Sequence, residues 1–385
     1  MSEVQELTVR DKLGLLHACG KASPMGALLR RFWQPVALAS QIEPGRARLI
    51  KIMGEELAIY RGESGKIHLV GGRCAHRLTY LHTGWIEGES LRCMYHGWKY
   101  DASGQCTQAP AETEAFAAKV RIAGYPTHEY CGLVFAYMGE GEPPAFDLPR
   151  KREFERENVM LFAREEVWPC NWFQQVENSL DAVHVSFVHH WGKVGSFGQA
   201  VSSAVPSLSY EETDAGIKQT AIRSETSKRV SDWTFPNNNH ISHPTLRQDD
   251  PWVDVGVWMV PHDEGKTSRF ILYAIASTDV ETDERIKRYF DEVGDYNPAN
   301  DHDRLLVGLS VPDDPLIQLT SAQDYVAAVG QGTVADRENE RLGKSDAGIA
   351  FLRRIFWREL ETVRAGREGK AWRRNAEAVQ MPHQS

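Results

Sequence analysis

The chain has 385 residues, 42% of them hydrophobic and 25% charged, a globular composition rather than a disordered or fibrous one. Lys and Arg total 44 against 53 Asp and Glu, and the formal charge of −9 argues against nucleic acid as the main partner. No apolar run reaches the roughly 18 to 20 residues of a membrane-spanning helix, the N-terminus lacks a signal-peptide core, and six cysteines in so long a chain do not make a disulfide scaffold. The expectation is a soluble protein of the reducing cytoplasm, with no membrane partner.

In chain order, a helix over KLGLLHAC falls in an N-terminal helical segment, residues 1–27. A strand-rich domain follows over residues 28–147, with turns at GESGK, TGW, EGES and ASGQ, and ends in the Gly- and Pro-rich GEGEPPAFDLP. The second domain, residues 148–385, has strands at SLSYEET, IKQTAIRS, VDVGVWMVP and SRFILYAIA and a terminal helix through GIAFLRRIFWRELETV. Strands with helices segregated around them read as α+β. The polar run NNNHISHP reads as a loop.

Four of the cysteines, Cys19, Cys106, Cys131 and Cys170, stand apart from patterned histidines and read as small buried hydrophobes. The other two do not. GGRCAHRLTYLHTGWIEGESLRCMYHGWKYD is C-x-H, sixteen residues, then C-x2-H, pairing Cys74 with His76 and Cys93 with His96. Two thiolates and two imidazoles are a metal site by chemistry. Gly71 and Gly72 before the first pair and Gly97 after the second let backbone come close to a cluster. A zinc finger needs a helix opened by H-x3-5-H, which is missing. A Rieske [2Fe–2S] centre takes two Cys on one iron and two His on the other, which this pattern supplies. Structural zinc is the alternative.

A second constellation lies in WPCNWFQQVENSLDAVHVSFVHHWG, where Val176, Leu180, Val183, Phe187 and Val188 recur at helical spacing. This helix carries Glu177, Asn178, Asp181 and His184, with His189 and His190 after it. Asp181 and His184 share a face. His184 and His189, five apart, diverge by about 140° on an ideal helix, so both can face one ion only if the helix ends or distorts between them. Alone, D-x2-H-x4-H is weak, and two solvated histidines account for it as well. Beside a Rieske pattern, a second metal site is the better reading.

With these motifs the chain resembles the Rieske non-haem iron aromatic ring-hydroxylating oxygenases, specifically the large (alpha) subunit of the phthalate dioxygenase and phenoxybenzoate dioxygenase type. FWQPVALASQI, RCAHR…LRCMYHGWKYD…GQC, NSLDAVHVSFVH and QDYVAAVGQG…DRENERLGKSDAGIAFLRRI carry the likeness over most of the chain. One departure is Leu78, where the family has a small residue; it replaces no ligand. The resemblance implies an antiparallel Rieske [2Fe–2S] domain followed by a helix-grip (START-like) catalytic domain. It implies the cluster ligands Cys74, His76, Cys93 and His96, and a mononuclear Fe(II) held by His184, His189 and Asp324. His190 is the competitor for His189, and Asp313, Asp314 and Asp336 compete for the carboxylate. Asp181 is implied as the catalytic carboxylate that joins a ligand of the iron to a Rieske histidine across the interface of a homotrimer, single or stacked. Glu177 and Asn178 are expected close by.

The same resemblance makes the chain the terminal oxygenase of a multicomponent system that uses O2 on an aromatic substrate, by inference an aromatic acid. Electrons would pass through the cluster and Asp181 to the iron; the outcome is ring hydroxylation or, alternatively, O- or N-demethylation. No strand-GxGxxG-helix unit and no second cysteine set for a ferredoxin is present, so a separate NAD(P)H-dependent reductase, with or without a ferredoxin, is expected. Candidate pocket walls are Asn178, Trp191, Phe197, Trp233, Phe235, His240, Trp252 and Trp258, although aromatics of this kind are more often core. Arg223, Arg229 and Arg247 are candidates to pair with a substrate carboxylate. Rivals of another class are a Rieske electron carrier, which needs no second histidine pair, and a zinc-stabilised binding module.

Overall fold

A computed structural model of the chain describes residues 8–146, 148, 150–189, 204–225, 227–243, 245, 247, 249–294, 296–306 and 318–372. It divides into two compact units that alternate along the sequence. The smaller holds Cys19–Phe146 and Val260–Asp263; the larger holds the chain up to Ala18, Asp147–Met259 and the chain from Glu264 on. Helix α1 (Val9–His17) therefore belongs with the larger unit. Its start is a capping box: the Thr8 hydroxyl accepts from Asp11 N, and the Asp11 carboxylate accepts from Thr8 N.

The smaller unit begins at α2 (Pro24–Leu29), capped by Ser23 with Pro24 in its first turn. The strands β1 (Trp33–Leu38), β2 (Ala47–Ile52), β3 (Glu55–Arg61), β4 (Ile67–Gly71), β5 (Trp85–Glu87) and β6 (Ser90–Arg92) follow. After them come β7 (Lys99–Tyr100), β8 (Cys106–Gln108), the short α3 (Glu114–Ala117), β9 (Gly124–Tyr125), β10 (Thr127–Tyr130) and β11 (Leu133–Tyr137). They pair antiparallel in the orders β1-β11-β10, β2-β3-β4-β9 and β5-β6-β7-β8. Tyr60, Leu81, Leu91, Trp98, Tyr100 and Cys106 build one core around Cys74 and Cys93.

The larger unit opens with α4 (Arg152–Glu155) and β12 (Val159–Trp168), then α5 (Trp172–Ser179) and α6 (His184–Val188). Strands β13 (Ser207–Glu212), β14 (Gly216–Ser224), β15 (Ser227–Thr234), β16 (Asn238–His243), β17 (Val253–Asp263) and β18 (Lys266–Ala276) make a meander. With β12 beside β18 they form a seven-stranded sheet of order β12-β18-β17-β16-β15-β14-β13. Helices α7 (Val280–Val293), α8 (Ala299–Leu306), α9 (Gln318–Val329) and α10 (Ala347–Arg364) follow. Phe356 of α10 packs against Trp172 and Phe173 of α5 and against Trp233 and Phe235, with ring centroids 5.0 to 6.0 Å away. The α+β expectation holds.

Two local readings change. NNNHISHP is not a loop: all but its first and last residues form β16 (Asn238–His243), a central strand between β15 and β17. The ladder satisfies its backbone, and side-chain polarity alone misleads there. The single helix expected through residues 176–188 is two, because the chain leaves helical geometry at Leu180 and restarts at His184. Phe187, counted in the apolar stripe, is 62% exposed.

Candidate active site

The cluster motifs form twin loops. In the first, Cys74 N donates to Thr79 O (2.9 Å) and Leu78 N to Cys74 O (3.0 Å). In the second, Cys93 N donates to Trp98 O (2.8 Å) and Gly97 N to Cys93 O (3.0 Å). The fifth residue of each takes left-handed backbone, φ +60° at Leu78 and +74° at Gly97. Gly72 is needed for close approach, since a Cβ there would meet Glu56 O at 2.8 Å.

Both thiols are buried and both imidazoles are exposed. The His76 and His96 ring centroids are 4.4 Å apart, and His76 stacks on Trp98 at 4.6 Å. Burial pushes the Cys74 thiol up, the neighbouring Cys93 adds to this, and the Tyr100 hydrogen bond opposes it. The Tyr100 hydroxyl accepts from Ala75 N (3.1 Å) and lies 3.2 Å from Cys74 Sγ, to which its own proton is free to donate. Such a donor stabilises a sulfur carrying negative charge. Tyr100, next to last in the HGWKYD run, carries no metal-ligand signal in the sequence. Paired buried sulfurs under paired exposed imidazoles are the donor set a Rieske cluster takes.

The second centre starts from the break between α5 and α6. Asn171 begins α5: its Oδ1 accepts from Phe173 N, and its Nδ2 donates to His17 O and Glu264 O. Asp181 sits in the break, where its Oδ1 accepts from Val183 N (2.9 Å) and His184 N (3.2 Å) and so launches α6. The helix ends at Val188, and His189 leaves helical geometry at φ −94°, ψ 14°. This ending undoes the angular divergence of the two histidines. Helix α9 supplies Asp324, and Gln174 of α5 holds its C-terminal end by donating to Ala328 O and Gly332 O.

Asp324 Oδ1 lies 3.5 Å from Nε2 of His184 and 3.5 Å from Nε2 of His189. The three groups place one ligand atom each within 4.8 Å of one another. Spacings of 3.5 Å are too long for charge-assisted hydrogen bonds; they suit donors that share an ion. The Gln323 side-chain carbonyl lies 2.9 Å from His189 Nδ1, which leaves Nε2 turned to Asp324. His184 Nδ1 is buried without a hydrogen bond, with Asp181 Oδ2 3.9 Å away. Burial holds the His184 imidazolium below its ordinary value, against the pull of Asp324. Burial alone would raise the Asp324 carboxyl, but His189, His184 and Arg269 hold it below its usual value. Two imidazoles beside a carboxylate are a two-His, one-carboxylate donor set.

A cavity of about 150 Å³ opens on this set and is lined by Asn178, Asp181, His184, His189 and Asp324 together with residues of β14 to β18. Of the walls expected from sequence, Asn178 is in place, with its Nδ2 3.5 Å from Asp324 Oδ1. Trp233, Phe235, His240 and Trp258 do not line it. Trp233 and Phe235 are core beneath Phe356. His240 and Trp258 alternate to the other side of the sheet from the lining residues Asn239, Ile241 and Val257, and His240 packs by Phe154 there. Trp252 is exposed. Trp191, Phe197, His190, Asp313 and Asp314 lie outside the described residues. Asp336 is exposed and accepts from Asn339. Glu177 is not a neighbour of the site; it is buried between Arg337 and Arg353. The apolar walls Val255, Val257, Met259 and Ile271 escaped sequence reading because β17 and β18 are buried on both faces, which hides the alternation.

Residues 32–126 match the Rieske [2Fe-2S] domain model. Over 382 residues the chain is 32% identical to the 5,5'-dehydrodivanillate O-demethylase oxygenase subunit of Sphingobium sp., covering 94% of this chain and 82% of the relative. It is 30% identical to the phthalate 4,5-dioxygenase oxygenase subunit of Pseudomonas putida (94% and 88% covered) and 29% identical to the phenoxybenzoate dioxygenase alpha subunit of Ectopseudomonas oleovorans (91% and 85%). The chain belongs to the Rieske non-haem iron oxygenases. Within that class it is an oxygenase subunit of the multicomponent systems, an oxidoreductase whose cofactors are a Rieske [2Fe–2S] cluster and a mononuclear iron. The fold agrees: the oxygenase in the reduced oxygenase–ferredoxin complex of carbazole 1,9a-dioxygenase superposes with a TM-score of 0.64 at 19% identity, covering 97% of each chain. NdmB of Pseudomonas putida CBB5 superposes with 0.67 at 18%, covering 92% of this chain and 97% of that one. No helix among the described residues is long and apolar enough to cross a membrane.

Proposed function

We propose that this oxygenase subunit hydroxylates an aromatic acid with O2, drawing electrons from a separate NAD(P)H-dependent reductase, directly or through a ferredoxin. In this reading Cys74, His76, Cys93 and His96 hold the [2Fe–2S] cluster, and His184, His189 and Asp324 hold the mononuclear iron. The observation that carries it is the convergence of those three side chains on the wall of a cavity that also presents Val255, Val257, Met259 and Ile271. At about 150 Å³ the cavity is of the size that takes one benzene ring.

Bound iron supplies dioxygen activation; the chain's own residues do the rest. Gln323 keeps the His189 proton on Nδ1. Asp181 launches α6 through Oδ1 and keeps Oδ2 beside His184 Nδ1, where it stabilises the ring proton. Val257, Met259 and Ile271 exclude water and hold the ring. Asp181 is 30% exposed at its side chain, which leaves it accessible to a cluster histidine of a neighbouring subunit in a homotrimer.

The O-demethylase relative, matched over 94% of the chain, favours a second outcome from the same machinery. With iron bound by His184, His189 and Asp324, a methoxy carbon held beside them would be hydroxylated and would leave as formaldehyde with release of the phenol, whereas a ring edge held there would give a hydroxylated ring. The test is anaerobic purification with iron, sulfide and zinc counts, then reduced EPR and single turnover with benzoates and methoxybenzoates. About three irons and two sulfides per chain, with a Rieske-type signal, support the reading. Zinc without sulfide overturns it, and two irons that Fe(II) cannot supplement leave only an electron carrier.

A further inference from the structure

Of the two arginines that line the cavity, one is paired among the described residues and the other is not. Arg269 rests on Trp168, 4.1 Å from its ring centroid, and its Nη1 lies 3.3 Å from Glu166 Oε2. Arg229, on β15, lines the same cavity with no hydrogen bond or ion pair among the described residues, and its buried Nε is unsatisfied. Arg223, on β14, lies close enough for its charge to act on Arg229. Its Nη2 donates to Ala182 O at 3.2 Å, its Nε is also unsatisfied, and it too has no carboxylate partner among the described residues. Desolvation, then the Arg223 charge, lowers Arg229 to about 10.

A guanidinium that lines a cavity with a buried, unsatisfied Nε and no ion pair among the described residues is costly to folding, and a second guanidinium nearby adds to the cost. An anion entering the cavity offsets that cost. The planar fork of Arg matches a carboxylate in two parallel hydrogen bonds. The charge of Arg229 also reaches both His184 and Asp324, so an acid held by Arg229 keeps its ring at the site.

We propose that Arg229, flanked by Arg223, receives the carboxylate of the substrate and so fixes which edge of the ring faces His184, His189 and Asp324. This rests on the reading of the cavity as the oxygenation site and names the residue that makes it select acids. Arg229 is a specificity residue: it touches the substrate away from the reacting carbon.

The test compares benzoate, phthalate and 4-methoxybenzoate with their primary amides on the iron-loaded protein, by titration calorimetry, in the native chain and in Arg229→Gln and Arg229→Lys. The native chain is expected to bind at least one acid over its amide. Arg229→Gln should weaken that acid roughly ten- to hundred-fold and leave the amide unchanged; Arg229→Lys should restore part of the difference. Equal binding of acid and amide by the native chain overturns the proposal without any variant, as does an Arg229→Gln loss that falls on both alike. An anchor for another anion shows as aryl sulfonates binding where carboxylates do not, which also overturns it. Failure of the oxygenase reading is separate: it shows as absent iron or sulfide, whichever ligand binds.

Discussion

Gln323 and His189 form the hydrogen bond on which the second centre turns: Gln323 Oε1 lies 2.9 Å from His189 Nδ1, and both side chains are buried. The next residue, Asp324, meets the opposite nitrogen of the same ring. One turn of α9 thus fixes both edges of the imidazole. Gln323→Leu removes the acceptor and frees the ring to rotate or change tautomer. Fe(II) affinity, read by competition with a chelator, should fall roughly ten- to hundred-fold. The Rieske EPR signal should be unchanged, because that centre is built from other elements. Gln323→Glu keeps an acceptor and should retain the metal. Equal metal loss in both variants would sink the assignment.

Leu78 and Gly97 hold the same place in the twin cluster loops, and only one is suited to it. At φ +60° a leucine carries a steric penalty of about 1–2 kcal/mol. Its side chain is 63% exposed, so little burial offsets this. Leu78→Gly relieves the strain but frees the unfolded chain, at about 0.5–1 kcal/mol. The net expectation is a slower loss of cluster colour on heating, by somewhat under 1 kcal/mol. Gly97→Ala should speed that loss.

What was legible in the sequence follows from how local each feature is. The four cluster ligands lie in two short loops, so their spacing displays the site directly. His184 and His189 were legible as a pair, and so was the need for the helix to end between them. Asp324 comes from a distant helix and was legible only by resemblance. The large aromatics that the sequence offers as walls include Trp233 and Phe235, which pack against Phe356 rather than line the cavity. The apolar part of the actual wall comes from aliphatic residues of strands buried on both faces, where no period-two signal survives.

Asp181 has two separable tasks on its two oxygens. Oδ1 caps α6 and Oδ2 faces His184. Asp181→Asn keeps an Oδ1 acceptor and loses the charge. Iron and sulfide counts should remain, while turnover driven by external reductant falls by orders of magnitude. Asp181→Ala also loses the cap, about 1 kcal/mol, and should show iron loss as well. Normal turnover in Asp181→Asn would refute the role.

Acid should weaken the cluster unit through Glu89. This carboxylate bonds His68 (2.6 Å) and accepts from Ser64 N and Ser64 Oγ, which ties the β5–β6 turn to the loop after β3. The His68 hydrogen bond, then that from Ser64 N, lowers the Glu89 carboxyl to about 2. Because the folded value is depressed, the contribution is complete above the ordinary value of 4.5 and is lost as pH falls toward 2. Cluster bleaching should therefore accelerate across that window, and Glu89→Gln should flatten part of the dependence.

Glu177 gives the sharpest separation of stability from chemistry, because it lies on the helix that leads to the site yet serves the core. Its carboxylate lies 2.8 Å from Arg337 Nη2 and 2.6 Å from Arg353 Nε, and all three side chains are buried. Arg353 has a second carboxylate in Glu340, whereas Arg337 has no other ion pair among the described residues. Breaking a buried pair from one side leaves an uncompensated charge, so Glu177→Gln should destabilise the larger unit by about 3–5 kcal/mol. Iron affinity of the surviving folded protein, measured at low temperature, should match the native chain. Loss of iron at unchanged thermal stability would instead put Glu177 at the metal centre, against its position between the two arginines.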